Sequence, residues 1–394
     1  MALKHPLKIY RLASLGAVVA SGVLLLGAAS AVEPSDGDFG GQAPVMLLVD
    51  VESGQTLLAQ NADRRFIPAS ITKVMSAFVA FEMLDAGKIS LTQEFVFSDL
   101  AAEKWYRTGS TMFLEPGETV TVDALLKGIT SVSANDASIV LAEGAAGSVA
   151  GWTALMNATA QSLGMRNSHF ATPNGWPDDG RTFTTARDLE ILARAMIARH
   201  PGRYAAYFGK PGFRHNGYSQ ANHDPISGVI AGADGIKTGY TNQAGHGFLG
   251  SAKRDGTRLI MVLGGIDAEP DRARMARQII EWGFTGFERR LLFSAGSNVA
   301  LAKVQDGEED TVQLMAPGAI NVVTPAGYGG PVNLKLIYNG PLKSPVQQGE
   351  GVAELEIMVS GLPPARVPLI AQETVRKAGP MHRINNAFQS WIGR

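Results

Sequence analysis

Hydrophobic residues recur at helical spacing from just after Pro68 to about Leu84, and Gly87 follows them as a helix stop signal. The positions between these residues are also largely apolar, so the pattern predicts a helix that is buried on all sides. Upstream, two apolar runs at 45–49 and 55–59 are separated by a Ser-Gly turn and predict a β-hairpin. We expect the first of its strands to be buried in the centre of a sheet.

Helical and extended patterns then follow one another as far as about residue 288. Helices are predicted at 122–129, through 139–142, at 152–164, at 186–198 and through 273–282, and strands at 235–241, 246–252 and 259–265. Strands at both ends of this region with helices between them predict an antiparallel sheet flanked by helices, an α+β (mixed α/β) domain over residues 38–288. Thr184 or Thr185 is the expected cap of the 186–198 helix.

Past Arg290 the pattern changes to short, β-branched runs bounded by turns. These runs lie at 299–304, 312–315, 320–323, 332–338, 352–358 and 367–370. They predict a separate all-β domain over 291–376. The C-terminal segment 381–394 places apolar residues on one helical face and polar residues on the other, which predicts an amphipathic tail helix.

The N-terminus indicates the compartment. Three basic residues precede an apolar run from Leu12 to Ala28, and a small-x-small cleavage site follows it. This arrangement predicts a secretory signal peptide over 1–31, a protein exported across the inner membrane and a periplasmic location. An uncleaved membrane anchor is the alternative for the same run.

Composition narrows the chemistry further. The 394-residue chain has a net charge of −1, so no basic surplus indicates a nucleic-acid partner. It has no cysteine, which excludes thiolate metal sites and cysteine nucleophiles. We find no cluster of metal ligands and no glycine-rich phosphate loop, and we expect no cofactor. None of the seven histidines lies in a catalytic-triad motif.

The candidate chemistry begins at Ser70 and Lys73. Three residues apart at the start of a helix, their side chains lie on one face. The free N–H groups of the helix start could stabilise an oxyanion beside Ser70, and a neutral Lys73 could accept its proton. Taken alone, the same pair also fits an N-cap serine followed by a solvated lysine.

Two further motifs favour the catalytic interpretation of Ser70 and Lys73. Ser133-Ala134-Asn135 and Lys237-Thr238-Gly239 follow in order, and each of the three motifs occurs once. Ser133 and Asn135 lie between two predicted helices, where ordinary helix capping is the alternative. With the segments at 172–175, 185–188, 237–241 and 282–284, these motifs make the chain resemble the secreted D-alanyl-D-alanine carboxypeptidases, low-molecular-mass penicillin-binding proteins of the β-lactamase/transpeptidase-like fold.

The resemblance implies that Ser70 is the nucleophile and that an acyl-enzyme on it is hydrolysed after a terminal D-alanine leaves a peptidoglycan pentapeptide. It implies that Lys73 is the base for acylation and that Ser133 relays a proton toward the leaving amine. Asn135 is then expected to hold Lys73 or the substrate amide. Lys237, if close, lowers the pKa of Lys73 by repulsion between like charges.

The remaining residues of the implied site bind substrate. Lys237 and Thr238 are expected at the terminal carboxylate, and the strand through Gly239 pairs with the peptide backbone. The backbone N–H groups of Ser70 and Tyr240 are the expected oxyanion hole. Arg272 could contribute to carboxylate recognition, or it could be a solvated arginine at a helix start.

The sequence is also compatible with other functions. A β-lactamase shares Ser70, Lys73 and Lys237, but in class A enzymes a loop glutamate activates the deacylating water. The loop at 172–180 offers Asp178 and Asp179 and no glutamate. A D-alanyl endopeptidase and a noncatalytic cell-wall binding protein are further alternatives. The resemblance also implies inhibition by β-lactams and peripheral membrane contact through the 381–394 helix.

Overall fold

The computed structural model describes residue 39 and residues 43–379. The predicted signal peptide at 1–31 and the predicted tail helix at 381–394 lie outside the described residues.

One antiparallel sheet of five strands organises the first domain. Its strands are β1 (Val45–Asp50), β2 (Thr56–Gln60), β7 (Ala233–Thr241), β8 (Gly245–Arg254) and β9 (Thr257–Ile266), in the spatial order β2-β1-β9-β8-β7. All six residues of β1 are buried, and the strand pairs with β2 and β9. The predicted fold class is confirmed, and β7 forms one edge of the sheet.

Helices cover the sheet, and the domain also has two antiparallel sheets of two strands each. The helices are α1 (Thr72–Asp85), α2 (Asp99–Trp105), α3 (Val122–Ser131), α4 (Asn135–Ala146), α5 (Val149–Leu163), α6 (Ala186–Arg199), α7 (Pro201–Tyr207) and α8 (Glu269–Thr285). These sheets pair β3 (Glu94–Val96) with β4 (Thr119–Thr121) and β5 (Gly212–His215) with β6 (Tyr218–Ala221). Thr185 caps α6 by accepting from the Asp188 N–H at 3.1 Å.

The helix that follows Ser70 runs through the core. Every residue of α1 from Thr72 to Phe81 is buried, as the apolar pattern predicts. The core around α1 includes residues of α3, α4, α5 and α6, and on the other face of the sheet α8 packs on β8 and β9. A helix enclosed in this way is a rigid support for a side chain at its N-terminal end.

The second domain is built from the remaining strands. They are β10 (Phe287–Phe293), β11 (Asn298–Gln305), β12 (Thr311–Met315), β13 (Ile320–Pro325), β14 (Val332–Ile337), β15 (Leu342–Lys343), β16 (Gly351–Val359) and β17 (Ala365–Ala371). Six form a sheet in the order β14-β16-β17-β12-β11-β15, and β10 pairs with β13. All six predicted strands are present, and β10 and β15 are additional.

Buried polar contacts join the two domains beside the β1–β2 turn. The Gln55 side-chain amide donates to the Val323 carbonyl at 2.9 Å and accepts from the Val323 N–H. Nearby, Arg289 Nε lies 2.7 Å from Asp50 Oδ2, and Asp50 is 1% exposed. Asp50 and Gln55 are both buried, so these polar contacts lie inside the interface between the two domains.

Among the described residues, no single helix combines the length and the apolar character needed to cross a membrane. The helices α4 and α5 satisfy both criteria only when taken together, with a bend of 87° between them.

Candidate active site

Ser70 lies in a 3₁₀ turn, Ala69–Ile71, that leads directly into α1. Neither the turn nor α1 has a side-chain cap, so the N-cap interpretation of Ser70 is wrong. The turn is enclosed by backbone from two sides. A Cβ built on Gly175 would lie 1.8 Å from the Ala69 carbonyl oxygen, and one on Gly239 would lie 2.4 Å from the Pro68 carbonyl oxygen. Glycine at these two positions therefore allows both segments to reach Ser70.

The amine of Lys73 contacts three oxygen atoms. Lys73 Nζ lies 2.8 Å from Ser70 Oγ, 2.9 Å from Asn135 Oδ1 and 2.8 Å from the Asn174 carbonyl oxygen. The side chain is 1% exposed, so the solvated-lysine interpretation is wrong. A hydroxyl and an amine in direct contact and away from water are the arrangement that a serine nucleophile with a lysine base requires.

The electrostatics of the site favour a neutral Lys73. Burial lowers its pKa well below the usual value of 10.5, the charge of Lys237 lowers it further, and the carboxylate of Asp136 opposes both effects. Lys237 is buried as well, and burial together with the charge of Arg272 lowers its pKa to about 7. Repulsion between the two lysines is therefore present as expected, but desolvation is the larger cause for Lys73.

The second motif lies in the turn between α3 and α4, as predicted. Ser133 is buried and adopts a left-handed conformation with φ of 62°, which is unfavourable for a residue with a Cβ. Asn135 is the first residue of α4, where Ala134 holds the N-cap position without a side-chain bond. The capping interpretation of this motif is therefore wrong. The Asn135 amide nitrogen donates to the Thr108 carbonyl at 3.1 Å, which turns its oxygen toward Lys73.

The third motif occupies the edge strand β7, whose register pairs Lys237 with Leu249 and Tyr240 with His246 on β8. Lys237 and Thr238 are buried, whereas Tyr240 is 52% exposed. The Tyr240 ring stacks on the His246 ring with 4.1 Å between centroids. The other edge of β7 faces the turn that carries Ser70, so the cleft between them has one wall of backbone N–H and C=O groups.

Arg272 lies in the first turn of α8. It is 3% exposed, so the alternative of a solvated arginine is wrong. One guanidinium nitrogen, Nη2, lies 3.0 Å from Glu269 Oε1, while Nε is buried and has no hydrogen-bond partner among the described residues. Its charge contributes to the lowered pKa of Lys237. The structure thus brings Arg272 close to the third motif.

Sequence reasoning missed part of the surroundings of Lys73. The segment 172–175 contributes to the resemblance, but the contact of the Asn174 carbonyl with Lys73 was not predicted. The Ser76 hydroxyl on α1 donates to the Pro173 carbonyl at 2.6 Å and so fixes this segment. Asp136 was also missed. A main-chain acceptor carries no side-chain signal, whereas a charged residue directly after Asn135 could have been noticed.

Comparison with known proteins agrees with this geometry. A family model described as D-alanyl-D-alanine carboxypeptidase matches residues 32–268, and one described as the C-terminal domain of penicillin-binding protein 5 matches residues 287–377. The chain is 30% identical over 379 residues to D-alanyl-D-alanine carboxypeptidase DacF of Bacillus subtilis, covering 94% of this chain and 96% of that protein. It is 33% identical over 365 residues to DacC of Escherichia coli, covering 89% and 90%.

Solved structures give the same result. Penicillin-binding protein 5 from Haemophilus influenzae matches with a TM-score of 0.74 and 30% identity, covering 85% of this chain and 98% of that one. Penicillin-binding protein D2 from Listeria monocytogenes, in its ampicillin-bound form, matches with a TM-score of 0.56 and 30% identity, covering 62% and 98%.

The chain belongs to the D-alanyl-D-alanine carboxypeptidase family, and it is a serine-type carboxypeptidase of the penicillin-binding class. The family predicted from the three motifs is confirmed. Both matched relatives extend over the catalytic and the all-β regions.

Proposed function

We propose that the protein removes the terminal D-alanine from peptidoglycan pentapeptides through an acyl-enzyme on Ser70. The observation that carries this proposal is the 2.8 Å contact between Ser70 Oγ and a buried Lys73 amine whose pKa is lowered. Neutral Lys73 takes the Ser70 proton as Oγ attacks the carbonyl between the two D-alanines. The leaving D-alanine amine must then receive a proton, and a water molecule hydrolyses the ester to restore Ser70.

The proton for the leaving amine is assigned to Ser133. Ser133 lies in the turn after α3, two residues before Asn135, and Asn135 contacts Lys73 directly. A hydroxyl can accept a proton from one neighbour while donating its own to another, so Ser133 can pass a proton from the lysines to the departing amine. Asn135 holds Lys73 in place and leaves the substrate amide to the strand edge.

Substrate binding is assigned to β7 and α8. The free edge of β7 can pair with the extended peptide, because an edge strand has backbone groups without partners. The terminal carboxylate of the substrate is negative, and Lys237, Thr238 and Arg272 provide two cations and a hydroxyl for it. The buried Nε of Arg272, which has no hydrogen-bond partner among the described residues, can donate to an anionic group of the substrate. The backbone N–H groups of Ser70 and Tyr240 form the proposed oxyanion hole.

The structure favours a carboxypeptidase over a β-lactamase. In the loop at 172–180, Asp178 accepts from the Thr182 N–H at 3.1 Å and from its hydroxyl, so this carboxylate is already used to hold the loop. Asp179 is exposed. The loop has no glutamate that would activate water for rapid deacylation, and its buried carboxylate, Asp178, is held by Thr182. A β-lactam should therefore remain attached to Ser70, as an inhibitor that mimics the peptide.

We also propose where the enzyme works. The signal-peptide pattern at 1–31 supports export and a periplasmic location. The amphipathic pattern at 381–394, with Trp391 among its apolar residues, supports peripheral contact with the outer face of the cytoplasmic membrane. Flotation of the full-length mature protein with anionic vesicles, beside a variant ending at residue 379, tests the membrane contact: equal flotation of both would refute it.

Mass spectrometry of the mature protein with a pentapeptide ending in D-Ala-D-Ala tests the activity. We expect the wild type to release one alanine and to form a stable adduct with penicillin at Ser70, and Ser70→Ala to do neither. Rapid penicillin hydrolysis without peptide cleavage would identify a β-lactamase. If the protein neither cleaves the peptide nor reacts with penicillin, a noncatalytic binding role becomes the favoured function. Cleavage of a D-alanyl crosslinked dimer, run in parallel, measures the endopeptidase activity.

A further inference from the structure

A buried carboxylate lies directly after the second motif. Asp136 is 1% exposed, and its two oxygens receive four hydrogen bonds. The donors are the Met112 N–H at 3.1 Å, the Leu114 N–H at 3.1 Å, the Ala137 N–H at 2.9 Å and the Thr111 hydroxyl. Three of these donors belong to one segment, 111–114, which has no regular secondary structure. Asp136 therefore fixes this segment to the first turn of α4.

The residues just before that segment hold the active-site asparagine. The Asn135 N–H donates to the Ser110 carbonyl at 2.8 Å, and its side-chain amide donates to the Thr108 carbonyl at 3.1 Å. The backbone at Gly109 packs closely against the Asn135 side chain, because a Cβ built on Gly109 would lie 2.8 Å from Asn135 Nδ2. A shift of this loop would rotate or release Asn135, whose oxygen contacts Lys73. The position of Lys73 thus depends on Asp136 through the loop and Asn135.

Asp136 also acts on Lys73 by its charge. The charged groups acting on the Lys73 amine are Lys237 from β7 and Asp136 from α4, while its direct contacts, Ser70, Asn135 and Asn174, are neutral. Among the described residues, Asp136 thus provides the negative charge that opposes the effect of Lys237 on Lys73. No hydrogen bond joins Asp136 to Lys73 among the described residues, so the effect acts through space.

We propose that Asp136 is a positioning residue for acylation, which holds the 108–114 loop against Asn135 and places a fixed negative charge opposite Lys237 beside the lysine base. This inference rests on the proposed function, because acylation of Ser70 is the step that it concerns. Among the described residues, no hydrogen bond joins Asp136 to Ser70 or Lys73, and Asp136 acts through Asn135 and through its own charge.

The test compares Asp136→Asn with the wild type by the rate of acylation with a fluorescent penicillin, from about pH 5 to about pH 9. The variant keeps the shape of the side chain but loses the charge. Without that charge the pKa of Lys73 falls, and the neutral amine becomes available at lower pH. We expect the acidic limb of the profile to move down by about one pH unit. We also expect the plateau rate to fall by roughly 10²-fold as the loop loses its anchor.

Two further variants separate the contributions. Thr111→Val removes one hydrogen bond to the loop and keeps the charge, so its plateau should fall without movement of the acidic limb. Asp188→Asn is the matched control, since Asp188 is also buried and accepts from the Asn167 N–H at 2.8 Å and the Ser168 hydroxyl at 2.7 Å. It is not among the charges that act on Lys73, and its profile should keep both the limb and the plateau.

An acidic limb that stays in place in Asp136→Asn overturns the inference, because a purely structural anchor lowers the rate without moving the limb. If Asp136→Asn shows no cooperative thermal unfolding, Thr111→Val decides instead, and a plateau equal to that of Asp188→Asn overturns the inference. Acylation of the wild type itself tests the proposed function. If the wild type is not acylated, the proposed function is wrong. If the wild type is acylated and Asp136→Asn has the same pH profile, only the inference about Asp136 is wrong.

Discussion

Lys237 should make the native state less stable at neutral pH, and its removal should show this directly. Lys237 is 4% exposed, and its amine donates to the Thr238 carbonyl at 3.0 Å. Burial and the charge of Arg272 lower its pKa from 10.5 to about 7. The perturbation is Lys237→Met, which keeps a long, flexible side chain and removes the amine.

The sign and size follow from the two pKa values. In the unfolded chain Lys237 binds a proton up to about pH 10.5, while in the folded protein it releases it near pH 7. The unfolded state therefore binds more protons between these values, and the free energy of unfolding rises with pH across this window. The full penalty, present below about pH 7, is about 5 kcal/mol. Between about pH 7.5 and pH 9.5 it should shrink by about 1.4 kcal/mol per pH unit.

Urea unfolding at several pH values measures this penalty. We expect Lys237→Met to be more stable than the wild type at pH 7, and the difference to decrease steadily as the pH rises. Lys88→Met, which removes an exposed lysine, controls for the change in net charge. If the curves of unfolding free energy against pH for Lys237→Met and wild type remain parallel over this range, the prediction is wrong, because Lys237 then has the same pKa in both states.

Two further outcomes follow from other contacts. Gly175→Ala should lower the rate of acylation by roughly 10²-fold, because its Cβ would meet the Ala69 carbonyl oxygen. Gly180→Ala is the control: its φ is similarly positive, a Cβ there would have nothing within 4 Å, and the variant should acylate normally. Equal rates of the two variants in a penicillin-labelling assay would contradict this expectation. Gln55→Leu should destabilise the contact between the domains by about 2–4 kcal/mol, because it leaves the buried Val323 N–H and C=O without partners. Calorimetry should then resolve two transitions, and a single unshifted transition would contradict the expectation.

The elements that the sequence predicts best are those with strong local signals. The buried helix after Ser70 and the hairpin from Gly245 to Ile266 have clear periodicity and an Asp-Gly turn, and both appear close to their predicted bounds. The family assignment depends on three short motifs, and these need no long-range information. The structure brings all three motifs together at the Lys73 amine and its neighbour Lys237.

The features that were missed depend on distant contacts. The strand Phe287–Phe293 includes two adjacent arginines, which weaken its apolar pattern, and Arg289 is satisfied by Asp50, 239 residues earlier in the chain. The hairpin formed by β5 and β6 is half polar and is held by side chains of another loop, such as Glu118, which lies 2.8 Å from His215. Contacts between residues so far apart in sequence produce no local hydrophobic periodicity, so one sequence alone does not predict them.

The three oxygens around Lys73 fix how its hydrogen bonds change when the amine loses a proton. A charged amine has three N–H bonds, and it can donate one to each of Ser70, Asn135 and Asn174. A neutral amine has two N–H bonds and one lone pair. The two carbonyl oxygens can only accept, so they take both N–H bonds, and the lone pair is left facing the one partner that can donate. Deprotonation of Lys73 therefore turns the Ser70 hydroxyl hydrogen toward the nitrogen and leaves the serine lone pairs free for attack.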